Sequence, residues 1–247
     1  MDFLLFRLYA PLSAWGVTAV GENRHVQAHP SRSALLGLMA AALGLTREEK
    51  TAQQQLDSEL GFAIALERAG THLSDYHTAQ APKAKDIKKG RPASRYHELT
   101  AAPRHELTTI LSKRDYRQDM VARVAVWNRS SQPDYSLKRL LEALEHPVFT
   151  LYLGRKSCPP SLPLEGRVVT AVTLREALTT ASFNNDCLDG LALSREDWTL
   201  YWESDSKVTS GIDPQQTFSR RDQPLEWNRR LFGMRQEHRA NLAQGRA

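Results

Sequence analysis

The 247-residue chain has only two cysteines, Cys158 and Cys187. That is too few for a disulfide framework, and neither has the spaced His and Cys company of a zinc site, so both read as reduced thiols of a cytoplasmic protein. Long apolar runs are also scarce. The opening Phe3-Leu4-Leu5-Phe6 is broken by Arg7 and follows no basic leader, which speaks against both a signal peptide and a membrane span. No Walker loop, dinucleotide glycine fingerprint, paired-carboxylate nuclease motif or HNH-type cluster is present, so no cofactor and no metal are expected. His25 and His29 stand four apart but precede Pro30 in a loop, with no further ligand at metal-site spacing.

What the chain does have is positive charge, unevenly spread. Its 33 Lys and Arg against 28 Asp and Glu give a net charge of +5. Residues 83–117 alone hold ten basic residues against four acidic ones, a local excess suited to a polyanionic partner.

Alternation over residues 3–9 predicts a strand with Leu4, Phe6 and Leu8 on one face and Phe3, Leu5, Arg7 and Tyr9 on the other. After a polar loop, Pro30-Ser31-Arg32-Ser33 leads into a buried helix over 34–45 that closes near Gly44. Thr46-Arg47-Glu48-Glu49 fits a capping box opening a second helix towards Leu60. Further strands are predicted at 62–66, 121–127 and 148–153. Leu137, Leu140, Leu141 and Leu144 mark an amphipathic helix stopped by Pro147.

Residues 79–117 are polar, basic and punctuated by Pro82, Gly90, Pro92 and Pro103, too long for an ordinary connector and therefore an inserted arm. The fold class is α+β: a ferredoxin-like or RNA-recognition-motif sheet carrying a thumb-like arm, followed by a small strand-rich C-terminal subdomain. The expected boundaries are 1–78 with 118–158 for the RRM-like domain, 79–117 for the thumb, 159–235 for the C-terminal subdomain and 236–247 for a loose tail.

Four places suit a phosphate. Ser31-Arg32-Ser33 joins helix-start amides to hydroxyls and a guanidinium. At Leu153-Gly154-Arg155-Lys156-Ser157 a glycine lets the backbone turn and two cations follow. Lys113-Arg114-Asp115-Tyr116-Arg117 puts cations beside a ring that can stack on an unpaired base. The fourth is the stretch holding Arg220, Arg221, Arg229, Arg230 and Arg235, whose plain reading is a solvated face. Arg24, in the polar loop, joins the RNA-binding candidates. Asp75-Tyr76-His77 offers an acid-base imidazole and a phenol, though a structural hydrogen-bonding pair is the simpler reading.

Four spaced segments carry a family likeness: Phe6 to Gly16, Pro30 to Leu38, Asp75 to Thr78 and Tyr152 to Pro159. Together with Arg114-Asp115-Tyr116 and Arg221 to Leu225, they resemble the CasD-type subunits of type I-E CRISPR Cascade complexes, in the Cas-five branch of the RAMP superfamily. The resemblance implies a non-catalytic subunit that caps the 5′ handle of the crRNA, touches the backbone subunit CasC and the large subunit CasA, and meets target DNA only through the assembled complex. It also implies that Arg114 and Tyr152 contact the handle. The RNA-binding set expected from residues and resemblance together is Arg24, Arg32, Ser33, Arg114, Tyr116, Tyr152, Gly154, Arg155 and Lys156. Two alternatives stand beside it: a metal-independent endoribonuclease using Tyr76, His77 and Lys113, as in a related branch that matures its own crRNA, and a stand-alone single-stranded RNA-binding domain.

Overall fold

The computed structural model describes residues 1–19, 21–83, 93–100, 102–191, 193–194 and 198–242. In chain order the elements are β1 (Asp2–Ser13), β2 (Asn23–Arg24), α1 (Arg32–Leu43), α2 (Lys50–Glu59), β3 (Leu60–Arg68), β4 (Thr71–Ala81), α3 (Arg95–Leu99), β5 (Thr108–Asn128), α4 (Leu137–Glu145), β6 (Arg167–Thr170), α5 (Leu174–Thr180), β7 (Thr199–Trp202), β8 (Gln216–Glu226) and β9 (Leu231–Asn241). The strands form one sheet in the order β6-β1-β5-β3-β7-β9-β8, with β2 and β4 attached to β5. Every pairing is antiparallel except the short parallel contact of β2 with β5.

The 21-residue β5 joins the body of the protein to an arm. Its second half is buried between β1 and β3, where residues 120–127 carry apolar or paired side chains. Its first half runs outward in a hairpin with β4, from Thr71 opposite Gln118 to Ala81 opposite Thr108. At the root of the arm, Gly70 has φ 69°, and a Cβ there would lie 2.3 Å from the Gln118 carbonyl oxygen. Glycine is the residue that tolerates both the angle and the approach.

Alternation along β1 is as predicted, but both faces are covered. Leu4, Phe6 and Leu8 meet α1, α2 and α4, while Phe3 and Leu5 meet α5 and Trp198 to Trp202. Arg7 is buried on the second face. Its guanidinium donates to Glu67 at 2.9 Å, Arg123 donates to the other Glu67 oxygen, and both cations lie over the Phe183 ring. A buried cation is tolerable there because opposite charge and hydrogen bonds replace its water. α1 is capped as its sequence predicts: the Ser31 hydroxyl accepts from the Ala34 amide, and Gly44 closes the helix at φ 80°.

Several expectations need correction. Residues 148–153 are not a strand: the Val148 and Phe149 amides donate to the Ala42 and Ala41 carbonyls at the end of α1, and the place beside β1 belongs to β6. Thr46 does bond the Glu49 carboxylate through its amide and hydroxyl (2.6 and 2.8 Å), but α2 starts only at Lys50, so the contact tightens the turn ahead of the helix. The C-terminal strands build no separate layer. They extend the same sheet through β7 on β3, because Leu200 and Trp202 supply the second-face core that β3 needs. Nor does the chain loosen at 236, since β9 runs to Asn241 with Glu237 and Ala240 buried. The arm begins at Thr71, earlier than the 79 expected from composition, because β4 alternates between the two faces of an exposed hairpin and its apolar content hides its pairing. Much of the basic stretch 83–92 lies outside the described residues.

Candidate nucleic-acid interface

Three segments far apart in sequence meet where the arm leaves the body. The first is the turn 153–158, closed by the Leu153 amide on the Cys158 carbonyl and the Cys158 amide on the Arg155 carbonyl. Gly154 has φ 91° and sits so close to β1 that a Cβ would fall 1.8 Å from the Ala14 carbonyl oxygen. The Ala14 amide in turn donates to the Leu153 carbonyl at 2.9 Å, so the turn is locked to the end of β1.

The second segment is the loop through β2, where Asn23 and Arg24 run parallel to Lys113 and Arg114. The third is the first half of β5. Arg155 ties all three together: one guanidinium nitrogen donates to the Asp115 carbonyl at 2.9 Å, another to the Arg24 carbonyl at 3.1 Å, and its plane lies 4.7 Å over the Tyr116 ring. The stacking favours a guanidinium over an ammonium at this point.

Around this junction Arg24, Lys113 and Lys156 are exposed, and Arg114 and Arg155 are half-buried. Arg114 donates to the Ser112 hydroxyl at 3.2 Å, which holds its side chain along the strand. Five cations thus border a concave junction, the electrostatic pattern that phosphates seek. Tyr152 stands half-buried at the entry to the turn.

Asp115 lies at the centre with its side chain 6% exposed. Its carboxylate accepts from the Ser74 hydroxyl at 2.8 Å and from His25 Nδ1 at 2.9 Å, and His72 Nε2 lies 3.4 Å away. Burial pushes the Asp115 pKa up, but the hydrogen bonds from His25, Ser74 and His72 outweigh it and hold the carboxyl at about 2. Sequence reasoning misses His25, His72 and Asp115 as a group because the partners come from three elements, with His25 and Asp115 90 residues apart.

The junction brings together Arg24, Arg114, Tyr116, Tyr152, Gly154, Arg155 and Lys156, but two roles change. Tyr116 is buried beneath Arg155, so its ring supports the cation and offers no open face for a base. Arg32 is 2% exposed and belongs elsewhere: it donates to both Glu203 carboxylate oxygens at 2.6 and 2.7 Å, to Asp57, and to the Asp57 and Leu60 carbonyls. Its own amide donates to Asp222. Arg32 is therefore a structural cation, not a phosphate ligand. Ser33 is half-buried beside it, its hydroxyl 3.0 Å from that of Ser31.

Tyr76, His77 and Lys113 do not converge. Tyr76 and Lys113 are directly opposed across the β4–β5 ladder and share a face, whereas His77 opposes Ser112 on the other face and pairs with Asp75. A general base and a general acid need one reacting atom between them, and a one-residue step along a strand separates these groups by the sheet itself. The arginine-rich stretch also divides. Arg220 and Arg235 are held by Asp222 and Glu237, while Arg221, Arg229 and Arg230 are exposed. His29 goes with the former group, stacked on Tyr201 at 3.7 Å and bonded to Glu237, far from the carboxylate that holds His25. Among the described residues no group of three or more His, Cys, Asp or Glu is placed to hold a metal, and no helix is long and apolar enough to cross a membrane.

An antiparallel sheet covered on both faces, with a protruding hairpin and a cationic junction at its root, is also the form of a known class of proteins. The family model for CRISPR-associated protein (Cas_Cas5) matches residues 3–237, and the chain belongs to that family. It is 30% identical over 234 residues to the CRISPR system Cascade subunit CasD of Escherichia coli strain K12, covering 92% of this chain and 94% of the relative. Among solved structures it resembles a chain of a CRISPR RNA-guided surveillance complex, with TM-score 0.66, 24% identity and coverage of 97% of this chain and 89% of that one. A crystal structure of a Cas protein matches with TM-score 0.59 and 25% identity, covering 97% and 94%.

Proposed function

We propose that this protein is a non-catalytic crRNA-binding subunit of a type I-E Cascade surveillance complex, and that the junction at the root of the arm grips the 5′ handle of the guide. The observation that carries this reading is the convergence of the β2 loop, the start of β5 and the turn 153–158 on Arg155, with Arg24, Lys113, Arg114 and Lys156 around it. Such a junction binds a phosphate backbone by charge and shape. Tyr152 supplies the ring for a splayed handle base. Target specificity belongs to base pairing between guide and DNA, so the subunit needs no catalytic group.

The sheet supports an RRM-type ancestry. Over β6-β1-β5-β3 the strands run in the order fourth, first, third, second of a ferredoxin-like unit, each antiparallel to its neighbour. With both faces of that unit covered, the RNA site has moved to the edge where the arm begins. The arm and the loops beside it are the surfaces left for CasC and CasA, and target DNA is met through the assembled complex.

The test is guide occupancy in the complex assembled with its partner subunits. Arg114→Ala and Tyr152→Ala each lower retained crRNA about tenfold, in line with losing a phosphate contact or a stacked base. Equal occupancy in wild type and both variants sinks the site assignment. Repeat RNA incubated with the purified protein in EDTA stays intact; cleavage that disappears in His77→Ala makes the protein a metal-independent endoribonuclease instead. Equal binding of any single strand marks a stand-alone RNA-binding domain.

A further inference from the structure

Asp115, His25 and His72 form a built cluster that the grip on the handle does not by itself explain. An ionised carboxylate only accepts hydrogen bonds, so His25 must carry its proton on Nδ1, the nitrogen 2.9 Å from Asp115. By the same reasoning His72 presents a proton on Nε2, 3.4 Å from the same oxygen. Each ring then has its second nitrogen, His25 Nε2 and His72 Nδ1, turned away from the carboxylate. The imidazoles remain 64% and 50% exposed although the group anchoring them is buried. A buried carboxylate that fixes two open imidazoles, one from the β2 loop and one from β4, orients them as a pair.

The charged groups around the pair are Asp115 itself, Arg24 and Glu22 on the loop of His25, Lys113 and Arg117 two residues either side of Asp115 on β5, and Arg155 from the turn. Ser74 and Tyr76 flank them on β4. Cations dominate this set, so the empty junction gains little from two further positive charges. A phosphodiester backbone lying among them reverses the balance, because its negative charge favours a proton on each outward nitrogen.

We propose that His25 and His72, held on Asp115, are a proton-linked phosphate site: each takes up a proton as the backbone of a single-stranded RNA enters the junction, so RNA is held more tightly in mild acid. This rests on the reading of the junction as the guide site. It adds two contacts to that site and a dependence on pH that fixed Arg and Lys charges do not give.

Calorimetric titration of the full chain with a single-stranded RNA carrying the repeat-derived 5′ handle, in two buffers of different ionisation heat, counts the protons taken up. Wild type is expected to take up between one and two, and to bind about tenfold more tightly near pH 6 than near pH 8. His25→Gln and His72→Gln each remove about half of that uptake, and the double variant binds with an affinity flat in pH while unfolding like wild type. Uptake that persists in the double variant overturns the proposal. So does wild-type binding without uptake; if Arg114→Ala still weakens that binding, the guide site stands and only the proton link falls. Wild type that binds no RNA at either pH removes the guide site and this proposal together.

Discussion

Two arginine-rich regions of this molecule make opposite use of the same side chain. Around the root of the arm, the cations outnumber the acids, and Asp115 is the one buried carboxylate among Arg24, Lys113, Arg114, Arg155 and Lys156. Where α1 meets the β8–β9 hairpin, each buried arginine is matched. Arg32 faces Glu203 and Asp57, Arg220 and Arg235 face Asp222 and Glu237, and the carboxylates bridge from one to the next. The second region is neutralised internally and holds the C-terminal strands to the first helix. The first leaves its charge unsatisfied, which is the condition for attracting an anion from solution. A count of arginines along the chain does not distinguish them; the count of carboxylates within reach does.

The contrast breaks most sharply at Arg32. Arg32→Ala leaves Glu203 buried without its main partner and should cost about 3–5 kcal/mol, read as a fall in the denaturation midpoint. A loss below about 1 kcal/mol would mean that this region is not the lock described here. Gly154→Ala comes next. Its Cβ would meet the Ala14 carbonyl at 1.8 Å with φ at 91°, so the turn must shift, at a cost of about 2 kcal/mol or more. Guide retention should fall with it, because Arg155 moves with the turn.

Acid provides a graded test. Burial pushes Glu237 up, but the hydrogen bond and charge of His29, with the charges of Arg220 and Arg235, hold it at about 2, as the imidazoles and Ser74 hold Asp115. For depressed carboxyls the stability they contribute is present above their ordinary values of 4.5 and 3.8 and is lost as pH falls through about 2. Denaturant titrations should therefore show stability dropping across that window, with a shallower drop in Glu237→Gln. An equal slope in the variant would show that the acid sensitivity lies elsewhere. The smallest stability effect is expected at Arg114→Ala, within about 0.5 kcal/mol, because its partner is a hydroxyl on its own strand. Its binding loss against unchanged stability is the mirror image of Arg32→Ala.

Much of the body is legible in the chain. The alternation of residues 3–9, the apolar helix closed by Gly44 and the leucine spacing of 137–144 each state a burial requirement that only one local structure meets. The strand expected at 148–153 fails because Leu151 and Leu153 are apolar for a different reason: they fill the core beneath a loop that closes α1. The loose tail fails because β9 is stabilised by ladder bonds and buried ion pairs that a hydrophobicity reading does not register. In the candidate site, the segments around Arg114 and Gly154 stand out as cations beside a ring or a turn. The buried state of Arg32 and Tyr116 does not, since it depends on Glu203 and Arg155, 171 and 39 residues away.

By itself, then, the sequence determined the local elements, the concentration of positive charge before and within β5, and the family. Apolar periodicity, turn residues and motif order are properties of neighbouring positions, and neighbours suffice to define them. Only the tertiary structure decided which arginines are sealed and which are offered, that the C-terminal strands continue the one sheet, and that a single carboxylate gathers His25 and His72. Charge acts through space, and the carboxylates that decide whether an arginine is free are brought to it by other strands.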